Sequence, residues 1–306
     1  MKILVATEKP FAKVAVDNIR KITEENGHTL TLLEKYTDIS ELCKAVEDAD
    51  ALIVRSDKVT KEVIDHAKQL KIVVRAGAGY DNLDLPACTA RGIVAMNTPG
   101  QNSNAAAELT VALILYAMRN FFNGKSGIEM KGKKMGILAY GNVGRNVARI
   151  ARGFGMDVYA FDEFLTPQQI ESDGVAHAAA SRDALFENCD VVSLHIPATP
   201  KTVKSINYDV VNKMHKGGIL VNTARMEVID EESMLRLLAE RTDLKYITDI
   251  KPEADAEFKK FEGRYFSTPK KMGAQTEEAN INAASAAASQ IADFFKTGNT
   301  KFQLNK

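Results

Sequence analysis

The chain has 306 residues, of which 45% are hydrophobic and 26% are charged, and its 40 basic and 40 acidic side chains cancel. A single core rarely grows beyond about 250 residues, so this length predicts two globular domains. Zero net charge excludes the overall positive field that draws proteins to nucleic acid or anionic membranes. The expected partners are small molecules, and any anion site must be built locally.

The three cysteines are Cys43, Cys88 and Cys189, and their spacing matches neither a CxxC pair nor a Cys/His metal site. An odd number of distant cysteines suits a reducing compartment, so we expect packing residues, no bound metal and a cytoplasmic location. The longest apolar stretch, residues 109–118, is half a membrane span, and the N-terminal apolar run is too short for a secretion signal. Neither secretion nor membrane anchoring is expected.

Short apolar runs rich in β-branched residues alternate with amphipathic segments along the whole chain. This alternation predicts an α/β fold of parallel sheets with crossover helices. The predicted strands are residues 2–7, 51–54, 71–75, 92–96, 136–140, 157–161, 191–195, 219–223 and 246–250.

Two long helices are predicted at the borders between domains. The first follows three candidate N-caps, residues 102–104, and is apolar to about Arg119. The second begins near Thr276, has Glu277 and Glu278 in its first turn, and is rich in alanine to Phe295. If the second helix returns to the first domain, that domain is discontinuous: residues 1–98 plus 280–306, with 99–279 as the other domain.

A glycine turn lies between a predicted strand and a predicted helix at residues 136–144, GILAYGNVG. Ala139 takes the place of the first glycine of a dinucleotide fingerprint, Gly141 and Gly144 keep the others, and Asp162 follows 21 residues beyond Gly141. Such glycines let a pyrophosphate approach a helix N-terminus, and the acid accepts hydrogen bonds from ribose hydroxyls. Because Asp162 would repel a 2′-phosphate, NAD is expected over NADP. The alternative is a strand–helix turn without ligand.

Seven segments, taken in order, resemble the D-2-hydroxyacid dehydrogenases: RSDKVT (55–60), RAGAGYDNLDL (75–85), NTPGQNS (97–103), the glycine turn, SLHIP (193–197), VNTARMEVID (221–230) and TDI (248–250). The resemblance covers nearly the whole chain. It implies two doubly wound parallel-sheet domains, with a Rossmann NAD-binding domain inserted into a flavodoxin-like substrate domain. It also implies a homodimer and hydride transfer between a nicotinamide and C2 of a hydroxy acid.

The resemblance assigns further roles to residues of this chain. Arg225 in VNTAR corresponds to the arginine that binds the substrate carboxylate in two hydrogen bonds. Asp249 corresponds to the acceptor for the nicotinamide amide, and His195 to a residue that packs on the cofactor without a catalytic role. The expected cofactor loops comprise Asn142, Val143, Ile196, Pro197, Thr223 and Ala224.

The acid/base pair of the family is altered. Where the family has Thr-Pro-His, this chain has Thr268-Pro269-Lys270-Lys271, and Ala254 stands at the position of the partner glutamate, beside Glu253. Near Arg225 in a partly dry cleft, a lysine pKa should fall, so a lysine could exchange the hydroxyl proton. Lys270 is preferred because it directly follows Thr-Pro, and Lys271 stays open; the alternative is that both are solvated loop residues.

Two more arginines point to a second anion on the substrate. Arg55 and Arg75 both follow predicted strands of the first domain, whereas a monocarboxylate needs only Arg225. The expected substrate is therefore a small phosphorylated 2-hydroxy acid, D-3-phosphoglycerate, with further contacts from Ser56, Ala78 and Asn102. The alternatives are a glycerate or hydroxypyruvate reductase and a non-catalytic protein that senses NAD. Because the chain ends at Lys306, soon after the second long helix, we expect it to lack the C-terminal regulatory domains of longer members of the family.

Overall fold

A computed structural model describes residues 1–306, and the chain forms two compact units. The first unit comprises Met1–Asn102 and Gln275–Lys306, and the second comprises Ser103–Ala274.

The first unit contains a parallel sheet of five strands: β1 Lys2–Thr7, β2 Thr29–Glu34, β3 Ala51–Val54, β4 Ile72–Arg75 and β5 Val94–Asn97. Their order across the sheet is β2-β1-β3-β4-β5. The inner strands are apolar and buried along their length because helices cover both faces of the sheet. The order reverses between β1 and β3, which is where doubly wound sheets of this kind bind ligands.

Five helices belong to this unit: α1 Lys13–Glu25, α2 Ile39–Val46, α3 Lys61–His66, α4 Leu85–Ala90 and α12 Glu277–Thr297. The predicted start of α12 is confirmed, because the Thr276 hydroxyl accepts a hydrogen bond from the Ala279 amide and two glutamates fill the first turn. The alanine-rich face of α12 packs into the apolar core over the sheet, next to α1. The last helix of the chain therefore returns to the first unit.

The second unit contains a parallel sheet of seven strands: β6 Lys134–Leu138, β7 Asp157–Phe161, β8 His177–Ala178, β9 Val191–Leu194, β10 Ile219–Asn222, β11 Lys245–Thr248 and β12 Tyr265–Ser267. Their order across the sheet is β12-β11-β10-β9-β6-β7-β8. This is the Rossmann order, with the reversal between β6 and β9. Two parallel sheets flanked by helices confirm the predicted fold class.

Seven α-helices and two 3₁₀ turns complete this unit: α5 Ser103–Met118, α6 Asn142–Gly153, α7 Pro167–Glu171, α8 Arg182–Asn188, α9 Tyr208–Val211, α10 Glu231–Glu240, α11 Asp255–Phe258, with the 3₁₀ turns at Asn120–Phe122 and Met226–Val228. The predicted long apolar helix is α5. It is apolar on most sides because it packs into the core over the sheet, next to α6.

The cysteines are buried free thiols, which confirms their role in packing. Burial raises the pKa of Cys88 to about 11 and that of Cys189 to about 12, so both stay protonated thiols near neutral pH. Among the helices, none has the length and apolar character needed to cross a membrane.

Candidate active site

The glycine turn joins β6 to α6, as predicted, at the reversal of strand order. Ala139 has a φ of +77°, so it adopts the left-handed conformation that glycine occupies at this point of the fingerprint. Gly141 is the N-cap of α6, and a Cβ built on it would meet no atom within 4 Å. A Cβ on Gly144 would lie 2.3 Å from the Ala139 carbonyl oxygen, so helix and strand approach closely only because this residue is glycine.

The positive φ of Ala139 strains the backbone and should lower the stability of the folded chain. Ala139→Gly should raise the free energy of unfolding by roughly 0.5–1 kcal/mol, because relief of the positive φ outweighs the larger entropy of unfolded glycine. Urea unfolding measures the difference. The matched control is Ala148→Gly inside α6, where the same exchange should destabilise by about 1 kcal/mol. A destabilised Ala139→Gly protein would contradict the assigned strain.

Asp162 follows β7 and is held beside the glycine turn. Its Oδ2 accepts a hydrogen bond from the Tyr140 amide at 2.8 Å, and its Oδ1 accepts one from the Phe164 amide at 2.9 Å. A carboxylate has about four lone-pair positions, so both oxygens can still accept hydrogen bonds from ribose hydroxyls. The turn and the acid thus fit a dinucleotide: open space at Gly141, exposed residues at the start of α6, and an oriented carboxylate.

The loop after β9 lies next to this turn. The His195 amide donates a hydrogen bond to the Leu138 carbonyl at 2.9 Å, which places the following Ile196 and Pro197 at the reversal point between β6 and β9. Asn142 and Val143 start α6 on the other side of the same point. These four predicted cofactor residues are therefore brought together.

His195 is half-buried and its Nε2 lies 2.9 Å from the Ser193 hydroxyl. Loss of hydration lowers the pKa of this imidazole to about 4, so it is neutral near pH 7.

Because the pKa of His195 is lowered in the folded chain, the free energy of unfolding should depend on pH. Between pH 6.5 and about 4, His195 is protonated in the unfolded chain but neutral in the folded chain. The free energy of unfolding therefore falls as the pH falls through this window. His195→Gln should remove about 1–3 kcal/mol of this loss. Urea unfolding across the window, with native protein and variant side by side, tests it. Equal pH slopes for the two proteins would contradict it.

The turn after β10 carries Arg225 and is held by Asn222. The buried Asn222 donates from Nδ2 to the Arg225 carbonyl at 2.9 Å and accepts from the Ala224 amide at 3.0 Å. The Arg225 guanidinium is half-buried, forms no salt bridge, and donates from Nη1 to the Ala224 carbonyl at 2.9 Å. An arginine without a carboxylate partner can bind an anion through its remaining donors.

Thr223 was predicted to contact the cofactor, and the structure also gives it a packing contact. Its buried hydroxyl lies 2.8 Å from the hydroxyl of Thr110, which donates to the Ala106 carbonyl at 2.7 Å. This pair joins the turn after β10 to α5. Asn222 and Thr110 did not emerge from the sequence as functional candidates, although the VNTAR segment contains Asn222.

Asp249 follows β11 and organises the lysine loop. Its buried carboxylate accepts hydrogen bonds from the Thr268 hydroxyl at 2.9 Å, from the Met272 amide at 2.9 Å and from the Gly273 amide at 2.8 Å. The same hydroxyl lies within hydrogen-bond distance of the Lys270 carbonyl at 2.8 Å. Asp249 therefore has a structural role in addition to its predicted contact with the nicotinamide amide.

The two lysines differ in what they contact. Both are exposed, and the Lys271 Nζ donates to the Ala224 carbonyl at 3.1 Å, the same oxygen that accepts from Arg225. Ala254 is the N-cap residue of α11, and Glu253 beside it is exposed. The structure therefore brings Lys271 to the Arg225 turn, whereas Lys270 was the residue preferred from the motif.

In the first unit, Arg55 and Arg75 meet at the carboxyl ends of β3 and β4. The Arg75 Nε donates to the Arg55 carbonyl at 2.8 Å, and neither guanidinium forms a salt bridge. Burial, and secondly the charge of Arg55, lower the pKa of Arg75, while Asp81 opposes this shift. Two adjacent cations without a paired carboxylate are arranged to receive an anion.

Asp57 supports this pair and was missed in the sequence, although RSDKVT contains it. Its buried carboxylate accepts from the amide of Glu8 at 2.6 Å, from the amide of Arg55 at 3.3 Å, and from the hydroxyl of Tyr36 at 3.0 Å. These bonds hold the end of β3 against the segments that follow β1 and β2.

Of the other predicted substrate residues, Ser56 is exposed beside Arg55, and Ala78 follows Arg75 by three residues. The Ala78 carbonyl accepts a hydrogen bond from the Asn97 Nδ2 at 2.6 Å, which joins this loop to the end of β5. Asn102 is half-buried and closes the first segment of the unit.

Comparison with known proteins agrees with this geometry. Residues 114–267 match the NAD-binding domain of the D-isomer specific 2-hydroxyacid dehydrogenases. The chain belongs to this family. A crystal structure of NAD⁺-bound 3-phosphoglycerate dehydrogenase from Entamoeba histolytica is 47% identical, with a TM-score of 0.87, and the match covers 100% of this chain and 99% of that one. NAD is therefore the cofactor of this chain.

Two sequence relatives show the range of activities in the family. D-3-phosphoglycerate dehydrogenase of Methanocaldococcus jannaschii is 35% identical over 290 residues, which are 89% of this chain and 54% of that protein. Hydroxypyruvate reductase of Thermotoga maritima is 37% identical over 223 residues, 68% of this chain and 71% of that protein. The chain thus spans about half the length of the archaeal phosphoglycerate dehydrogenase.

Proposed function

We propose that this chain is an NAD-dependent dehydrogenase that oxidises D-3-phosphoglycerate to 3-phosphohydroxypyruvate, a step of serine biosynthesis. The main support for this proposal is the pair Arg55 and Arg75, which lie together without a salt bridge and belong to a different unit from Arg225. Three unpaired arginines suit a substrate with two anionic groups, a carboxylate and a phosphate. Similarity to phosphoglycerate dehydrogenases supports the same substrate.

In this proposal Arg225 binds the carboxylate and polarises the C2 oxygen. The Asn222 hydrogen bonds fix the backbone on both sides of Ala224, so the guanidinium starts from a defined position. The planar guanidinium of Arg225 has further N–H donors, which can bind a carboxylate through two parallel hydrogen bonds.

A lysine of the loop after β12 exchanges the proton of the C2 hydroxyl group. In the oxidative direction its neutral amine accepts this proton, and in the reductive direction its ammonium group returns it. Bound NAD supplies the acceptor for the hydride that leaves C2. Lys270 is proposed from its place after Thr-Pro; the contact of Lys271 with the Ala224 carbonyl supports Lys271 as the alternative.

The direct test is formation of NADH by the purified chain with NAD and D-3-phosphoglycerate at alkaline pH, with D-glycerate and D-lactate as controls. Turnover of the phosphorylated acid in preference to both controls is the expected result. Equal or faster turnover of D-glycerate would refute the phosphate preference.

A second candidate is a glycerate or hydroxypyruvate reductase, which the Thermotoga relative favours. If it is correct, substitution of Arg55 or Arg75 should change the turnover of neither the unphosphorylated substrates nor phosphoglycerate.

A third candidate, an NAD-sensing protein without turnover, is favoured by the lysines at the histidine position. It predicts NAD binding with no NADH formation on any of the three acids. The homodimer and the cytoplasmic location stay predictions.

A further inference from the structure

Gly77 lies where the arginine pair of the first unit is assembled. It is buried, two residues beyond Arg75, and has a φ of +148°, which L side chains rarely adopt. A Cβ on Gly77 would lie 1.6 Å from the Arg75 Nη1 and 2.5 Å from its Cζ. The guanidinium therefore occupies the space that any other residue at position 77 would fill.

The backbone holds the rest of Arg75 in this place. The Gly77 amide donates to the Arg75 carbonyl at 2.9 Å, and the Thr98 amide donates to the Gly77 carbonyl at 3.0 Å, which joins the turn to the segment after β5. The Arg75 Nε is committed to the Arg55 carbonyl, so both Nη groups of the fork remain for a ligand. Without room over Gly77, the side chain could not fold back to that carbonyl.

This arrangement is costly in the absence of an anion. The half-buried Arg75 side chain lies against the Arg55 backbone, burial and secondly the charge of Arg55 lower the pKa of Arg75, and no carboxylate lies within salt-bridge distance of either arginine. Placing like charges together in a partly desolvated site costs free energy, which a bound anion recovers. Such local conflict is typical of residues arranged for function.

We propose that Gly77 determines the preference for a phosphorylated substrate by leaving its Cβ position to the Arg75 guanidinium. Gly77 is a positioning residue that acts through Arg75, and the ligand it selects is a phosphate group. The inference rests on the proposed function, since it assigns the phosphate end of that substrate to Arg55 and Arg75.

Gly77→Ala is the variant that tests this role. Because Arg75 Nη1 is the end of a flexible side chain, we expect the guanidinium to move away while the unit stays folded. The matched control is Gly92→Ala, which also introduces a Cβ at a positive φ, +63°, but meets no atom within 4 Å. Both variants carry backbone strain, and only the first displaces Arg75.

The first readout is binding of inorganic phosphate to the full chain, measured as the rise in melting temperature at increasing phosphate, with chloride at equal ionic strength as reference. The native protein and Gly92→Ala should show this rise, and Gly77→Ala should lose it. An equal rise in Gly77→Ala and Gly92→Ala, or no rise in the native protein, would overturn the proposal.

The second readout separates positioning from a merely structural effect. The ratio of kcat/KM for D-3-phosphoglycerate to that for D-glycerate should fall by about 10–100-fold in Gly77→Ala, mainly through KM. In an Arg75→Ala background, adding Gly77→Ala should leave this ratio unchanged, since the group it displaces is gone. An equal loss for both substrates, or a further fall in the double variant, would overturn the role of Gly77. Phosphate binding with the expected variant pattern but no turnover would instead refute the proposed function alone.

Discussion

Arg225→Ala should lower kcat/KM for D-3-phosphoglycerate by about 10²–10⁴ while leaving the dissociation constant of NAD unchanged. A bidentate, charge-assisted pair of hydrogen bonds to a carboxylate in a partly desolvated site contributes about 2–5 kcal/mol. This free energy corresponds to the expected loss in kcat/KM. The Arg225 guanidinium is half-buried and donates to the Ala224 carbonyl, so its other N–H groups can donate to a bound carboxylate. Steady-state kinetics and NAD titration by fluorescence measure the two quantities.

A matched control separates this effect from loss of any surface cation. Arg236 lies on α10 in the same unit, is exposed, and pairs with Glu240 four residues on. Arg236→Ala should keep full activity. Arg225→Lys should fall between native protein and Arg225→Ala, because an ammonium supplies the charge without the planar fork. Native activity in Arg225→Ala would remove this residue from the proposed mechanism.

Loss of both loop lysines should be the second large effect. The double variant Lys270→Ala/Lys271→Ala should lose about 10²–10⁴ in kcat, the usual contribution of general acid/base catalysis, with NAD binding retained. The loop itself should persist, because its anchors are the Asp249 carboxylate, the Thr268 hydroxyl and two backbone amides. Full activity of the double variant would exclude a lysine acid/base.

The single variants then assign the role, each serving as the control for the other. A loss confined to Lys270→Ala supports the residue that follows Thr-Pro in place of the family histidine. A loss confined to Lys271→Ala supports the residue whose Nζ shares the Ala224 carbonyl with Arg225. The pH dependence of kcat identifies the same residue, since the variant that loses the acid/base should lose the rise of the oxidative rate with pH.

Much of the fold follows from local sequence signals. The buried β-branched runs predicted nine strands of two parallel sheets, Thr276 marked the start of α12, and the glycine turn was placed correctly between β6 and α6. These signals are strong because each depends on a few neighbouring residues. Strands β2, β8 and β12 were missed: β2 is a largely exposed edge strand, and the other two have two and three residues. Edge and very short strands carry little periodicity, and pairing with a neighbour defines them.

The sequence by itself determined the family, the NAD fingerprint around Gly141 and Asp162, and the set of arginines and lysines worth testing. Only the tertiary structure decided how those side chains are held. Lys271 donates a hydrogen bond to a carbonyl 47 residues earlier in the chain. The Asp249 carboxylate accepts a hydrogen bond from the backbone of the loop that carries the lysines, and Asp57 joins three segments of the first unit. The space over Gly77 that Arg75 fills is likewise invisible in the sequence. Residue type and spacing specify local conformation, whereas contacts between distant segments depend on how the sheets and loops pack in three dimensions.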